Sequence, residues 1–266
     1  MVETVTTWLA QFGRDAWPLL QMPSTWLVAA IVLTGGIVRG FSGFGGALIF
    51  IPLCASIIGP KKAVAVFYLF DLLSATPYGY AFIRQCNKRE LAPLTIAAWC
   101  MLPFGAYVLV HANPLHLRWA LTVVVLIMLA VLMSGWRYRG TPTAPVSLCV
   151  GGFAGFSGGA TGISGPIVIA YFLSSRSTPP VIRASIMVFY SLMSTMMSAY
   201  FFYKGYFTFD VVVFALIAWP LYLGGLFTGA RFFSGSSEGS YRAIAYVLIA
   251  ASAIIAMPLF DGLIGR

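Results

Sequence analysis

The sequence has little charge. Of its 266 residues only 9% are Asp, Glu, Lys or Arg, whereas 60% are apolar and the mean hydropathy is +0.90. A soluble globular chain carries roughly a quarter charged residues, so water could not solvate this surface. A soluble enzyme is thereby excluded, and a bilayer is the expected environment. Seven acids and two histidines leave no cluster with metal-ligand spacing, so no metal or other cofactor is expected. The sixteen basic residues form no block; the densest group is Arg84, Lys88 and Arg89, with Glu90 beside it. That excludes a grip on nucleic acid. The four cysteines show no C-x-x-C and lie in or beside apolar runs, so they read as small buried side chains.

What is abundant is apolar sequence in lengths that fit a membrane. A helix needs about twenty mainly apolar residues to cross roughly 30 Å of hydrocarbon. Six plain candidate spans result: 63–83, 91–110, 119–136, 184–203, 211–230 and 243–260, of which only the first contains a charge, Asp71. The connections between them are short and carry turn residues. Glu3 stands where a secretory signal would be basic, and no small-residue cleavage site follows a short apolar core, so the first span is expected to act as an uncleaved signal. Before it, Val5, Trp8, Leu9 and Phe12 recur at helical spacing, which suits a short helix lying in the interface.

Two stretches break the simple count. From Trp26 to Ile58 the chain is apolar, Arg39 apart, for 33 residues, about 50 Å as helix, too long for one crossing and short for two. From Gly140 to Ser175 there are 36 residues without a charge. Both are dense in glycine, and each reads as two shortened helices meeting at a break. The breaks are copies: a shift of 119 positions lays Gly36, Gly40, Gly43 and Gly46 on Gly155, Gly159, Gly162 and Gly165, and Ser42 on Thr161. Three full spans follow each break. The expected organisation is therefore an all-α polytopic membrane protein. It has an interfacial segment 1–23, a first repeat 24–136, a joint 137–145 and a second repeat 146–262.

If each broken pair enters and returns to the same side, the copies are inverted. Basic residues then divide nine to one face (84, 88, 89, 137, 139, 176, 183, 231, 242) and six to the other (14, 61, 62, 118, 204, 266). A single crossing by the pair makes the copies parallel and the split eight to seven. The tendency of Lys and Arg to stay on the cytoplasmic side favours inversion, with the N-terminus outside.

Backbone may leave the helix inside a bilayer only where protein buries it or it lines a polar cavity. Paired breaks in corresponding positions of two halves therefore point to a central transport site. Helix starts at such breaks present free N–H groups and the positive end of the helix dipole, which suits an anion. Gly43, Gly46, Gly162 and Gly165 would let a ligand approach the backbone, and Ser42, Thr161 and Ser164 could donate to it. Helix packing explains any one pair of small residues four apart, as in Gly36/Gly40 and Gly155/Gly159, but the doubled pattern with interleaved hydroxyls favours a cavity. Arg39, inside the first motif, is a candidate anion contact, although an arginine there could also snorkel to the interface. Asp71 is either a proton-coupling group or the partner of an arginine such as Arg39. Tyr68, Ser74 and Tyr78 lie near it, and Tyr190, Ser191, Ser194 and Thr195 give the matching helix of the second half a polar stripe.

The run Gly40-Phe41-Ser42-Gly43-Phe44-Gly45-Gly46-Ala47-Leu48-Ile49 with Pro52-Leu53, repeated loosely as Gly155 to Gly165 with Pro166-Ile167-Val168, resembles the TauE/SafE family of sulfite and organosulfonate exporters. The likeness extends over nearly the whole chain. It implies a multi-pass protein of the inner (plasma) membrane that transports small sulfur-containing anions such as sulfite, thiosulfate, sulfoacetate or other sulfonates. An ion gradient, of protons or sodium, would drive it. The sequence departs from the family pattern at Arg39 before Gly40 and at Ser164-Gly165-Pro166, where a third glycine is common. Other readings are a passive anion channel and a non-transporting membrane assembly protein. A membrane enzyme would want a catalytic cluster, for which only Asp71 offers itself.

Overall fold

The computed structural model describes residues 23–42, 45–134, 143–175, 177–233 and 238–260. Almost all of the expected interfacial segment 1–23 and most of the expected joint 137–145 lie outside them. The described residues form helices and no strand. These are α1 (Pro23–Ser42), α2 (Gly46–Ile58), α3 (Pro60–Tyr80), α4 (Lys88–His111), α5 (Pro114–Met133), α6 (Ala144–Thr161), α7 (Gly165–Phe172), α8 (Pro179–Tyr203), α9 (Phe209–Phe233) and α10 (Glu238–Ile255). A short 3-10 turn at Pro258–Phe260 follows. Four of them, α4, α5, α8 and α9, are long and apolar enough to cross a membrane. Their outward faces carry large apolar residues, among them Ile96, Phe104, Tyr107, Phe202 and Phe227, as lipid contact requires.

Glycine and proline punctuate the chain. Gly59 closes α2 at φ 85° and Pro60 opens α3; α6, α7 and α8 also carry proline in their first two positions, where its fixed φ fits and its missing N–H costs nothing. Both expected breaks are present. α2 and α7 have 13 and 8 residues, too few to cross alone.

Each broken pair turns back on itself. On α1, a β-carbon at Gly35 would stand 3.4 Å from the Gly46 carbonyl and 3.9 Å from Phe50 Cβ on α2. In the second pair Ser147, near the start of α6, meets the hydroxyl of Tyr171, near the end of α7, at 2.6 Å. The three long helices that follow then alternate. α3 and α8 run antiparallel through the centre: Ser198 Oγ donates to the Tyr68 carbonyl at 3.2 Å, and Gly79 packs on Met187 and Ser191. α5 and α10 are antiparallel too, since Arg118 Nη2 donates to the Ala256 carbonyl at 3.2 Å.

The first helix of each broken pair packs on a helix distant in sequence. α1 lies parallel to α9, with Gly36 on Tyr222 and Gly40 on Leu226; α6 lies parallel to α4, with Gly151, Gly155 and Gly159 on Leu94, Ala98 and Leu102. A β-carbon at Gly36, Gly40, Gly155 or Gly159 would come within 2.1 to 2.6 Å of a partner carbonyl oxygen. These four glycines therefore permit helix contact, which corrects the expectation that the whole repeated pattern lines a cavity. Gly225 and Gly229 on α9 and Gly105 on α4 complete the two seams from the other side.

One further expectation needs correction. Only Cys54 is buried, Cys86 is half-buried, and Cys100 and Cys149 are exposed on α4 and α6. Phe50, Phe70 and Tyr222 form an interior aromatic cluster, with ring centroids 5.0 and 4.6 Å apart.

Candidate functional site

The local sequence dictates what each break presents. Gly45 precedes α2 at φ 75°, a left-handed conformation that favours glycine. α6 ends at Thr161, after which Gly162 turns left-handed, also at φ 75°. Thr161 staples this turn: its hydroxyl donates to the Ser157 carbonyl at 2.7 Å and accepts the Ile163 N–H at 3.2 Å. The next helices start at Gly46 and Gly165, positions that coincide under the 119-residue shift, and neither start is capped by a side chain. Their first N–H groups thus lack helical partners.

A cavity of about 40 Å³ lies between the breaks, room for a few water-sized groups. Gly45, Ala47 and Leu48 wall it on one side and Gly162 to Gly165 on the other, while α3 contributes Tyr68 and Asp71, and α8 contributes Tyr190 and Met193. Arg39, in the last turn of α1, reaches into the same space. Its Nη2 stands 3.2 Å from Asp71 Oδ1, and the two side chains are 12% and 4% exposed. Tyr190 donates to the Gly165 carbonyl at 2.7 Å, fixing the start of α7. The hydroxyls of Ser194 and Tyr222 flank the Asp71 carboxylate as donors to it, but their contacts, like that of Asp71 Oδ1, fall short of good hydrogen-bond geometry. Buried polar atoms are normally satisfied, so three such atoms around one ion pair mark a place for a ligand, water or proton.

Residues 27–256 match the family model described as "Sulfite exporter TauE/SafE". The chain belongs to the TauE/SafE sulfite exporter family. One similar TauE/SafE relative, "Probable sulfite/organosulfonate exporter TauE" of Cupriavidus necator, is 25% identical over 240 residues, which is 86% of this chain and 92% of that one. No solved structure matches. The family match runs from α1 to just beyond α10 and so takes in both breaks and the cavity. The chain is thus a multi-pass integral membrane protein of a transporter family.

Within this TauE/SafE chain, Arg39, Asp71, Gly162, Ser164, Gly165 and Tyr190 lie at the cavity wall. Thr161 serves the turn behind it. Gly46 opens α2 between the cavity-lining Gly45 and Ala47, and a β-carbon on it would point at the Tyr222 hydroxyl and Arg39 Cβ. Gly43 and the Ser42 side chain lie outside the described residues. Tyr222 and Met193 were not singled out from the sequence. The spacing Tyr222, Gly225, Gly229 puts a hydroxyl and two glycines on one face of α9 and could have pointed to the first; Met193 gave no signal. Among the described residues no group of three or more His, Cys, Asp or Glu could hold a metal ion.

Proposed function

We propose that this protein is a secondary transporter of small sulfur-containing anions, namely sulfite, thiosulfate and sulfonates such as sulfoacetate. It holds the anion between the two helix breaks and exposes it to each side in turn. The observation that carries this reading is the convergence of two uncapped helix starts, Gly46 and Gly165, on the cavity that contains Arg39. Amide N–H groups at a helix start attract oxyanions. A guanidinium adds paired hydrogen bonds that match a sulfonate's oxygens, where a lysine would add only a point charge. Ser164 offers a further hydroxyl. The name of the Cupriavidus necator relative, a probable sulfite and organosulfonate exporter, supports the substrate class.

The two halves, 24–136 and 146–262, act as inverted repeats. Three features support this: each broken pair returns to its own side, α3 runs antiparallel to α8, and α5 runs antiparallel to α10. In such a design each half supplies the scaffold against which the other half's break is held, and rocking of the two around a fixed midplane site gives alternating access.

Counterflow tests the reading. Proteoliposomes preloaded with unlabelled sulfite or thiosulfate should take up the same radiolabelled anion from outside, saturably and beyond the level reached by empty vesicles. A passive channel gives no such overshoot, and a non-transporting assembly protein gives no uptake.

A further inference from the structure

Arg39 carries a single positive charge and so can neutralise only one anion at a time. Its guanidinium already opposes Asp71, with Nη2 3.2 Å from Oδ1 and 3.5 Å from Oδ2, and Asp71 is 3% exposed. Among the described residues everything else that faces this carboxylate is neutral: Tyr68 on its own helix, Ser194 and Tyr190 from α8, and Tyr222 from α9. The cavity wall adds no second acid or base. Under the 119-residue shift, Gly158 and Tyr190 stand where the first half has Arg39 and Asp71, so the charge pair has no counterpart in the second half. The site thus contains one cation and one carboxylate, with no net charge.

We propose, building on the anion site above, that Asp71 takes up one proton for each anion that Arg39 accepts, so that anion and proton bind and move together. An arriving sulfonate or sulfite takes the guanidinium face that the carboxylate occupied. The carboxylate is then left in a poorly polar interior with hydroxyls as its only neighbours, a state that desolvation makes unfavourable. A proton from the aqueous side through which the anion entered bonds to a carboxylate oxygen, and Arg39 keeps its charge. The new O–H can donate to Ser194 or Tyr222, the hydroxyls that flank the carboxylate. For a monoanion the loaded site carries the same net charge as the empty one, so both can reorient across the membrane with equal electrical work.

The sign follows from linkage. Because anion binding takes up a proton, affinity falls as pH rises, by up to about tenfold per pH unit. Methanesulfonate and thiosulfate suit the test because neither changes its own charge between about pH 5 and 8, so any slope belongs to the protein. With purified protein, the dissociation constant of either probe should climb with pH in wild type. In Asp71→Asn it should be flat, and at the alkaline end tighter than wild type. In proteoliposomes an acidic exterior should drive methanesulfonate inward, whereas an imposed membrane potential should not. A flat wild-type profile, a slope that persists in Asp71→Asn, or uptake that follows the potential overturns the proposal while leaving the anion site in place. Absence of binding and counterflow for every sulfur anion at every pH removes the site itself. If the Asn variant does not fold, the wild-type slope and the gradient measurement decide alone.

Discussion

The hydroxyl of Tyr222 on α9 rests against Gly46, 2.8 Å from where a β-carbon of residue 46 would stand. Ring and glycine belong to opposite halves of the chain, so the start of α2 and the hydroxyl beside Asp71 are set by one contact. Gly46→Ala must push the ring aside, an overpacking cost of about 1–3 kcal/mol. The thermal midpoint in detergent should fall and anion binding should weaken. Adding Tyr222→Phe, which removes the clashing oxygen, should recover much of the midpoint. A double-mutant cycle on the two midpoints checks the coupling; independent, additive effects would mean that the contact does not position α2.

The glycine seams make a graded prediction. Gly155→Ala and Gly229→Ala each place a methyl 2.1 Å from a carbonyl oxygen on the neighbouring helix, whereas one at Gly152 meets only Met101 Cγ at 3.6 Å and one at Gly224 meets nothing within 4 Å. The first two variants should express poorly and unfold early; the last two should match wild type. Size-exclusion profiles and thermal midpoints of the four separate these outcomes.

Much of this was legible in the sequence because the doubled glycine pattern is a physical constraint. Gly162 turns left-handed, and Gly46 and Gly165 start helices at equivalent positions, whereas Gly36 and Gly155, expected with the rest of the pattern at a cavity, let helices touch. What a single helix's pattern could not reveal is which helix fills the opposite side of each contact. Tyr222 sits in a span that looks uniformly apolar, and its role arises from the crossing of α1 and α9. Similarly, Asp71 could be read as a partner for an arginine, but the meeting with Arg39 depends on how α1 ends against α3, which spacing along one helix does not encode.

Charge removal at Arg39 has two separable consequences. Arg39→Lys keeps the countercharge of Asp71 but loses the paired donors, so the protein should fold and bind sulfonate about tenfold or more weakly. Arg39→Ala leaves a carboxylate buried without a cation, which costs on the order of 3–5 kcal/mol, and should unfold readily. The double variant Arg39→Ala with Asp71→Asn should regain the midpoint but not the binding. Isothermal titration beside thermal unfolding distinguishes the effects; retained binding in the double variant would remove Arg39 from the site.

The inverted arrangement predicts sidedness. Lys62 pairs with Asp210 at 2.5 Å on one face, while Ser175 donates to Glu90 at 2.9 Å and Asn87 to Ser177 at 3.1 Å on the other. In a background without the four native cysteines, Lys61→Cys and Arg84→Cys should react with an impermeant maleimide from opposite sides. Val2→Cys and Gly265→Cys should both react from the side of Lys61. Labelling of the two termini from different sides would contradict the inverted repeats.

The central claim is that a sulfur oxyanion sits between the starts of α2 and α7. The most direct measurement is a crystal grown with selenite, a sulfite analogue whose selenium can be located by anomalous scattering. The account predicts one dominant peak inside the cavity, within hydrogen-bonding reach of Arg39 and the amides that follow Gly45 and Ser164. A dominant peak at another place, with that cavity empty while selenite still exchanges with sulfite in counterflow, would contradict it.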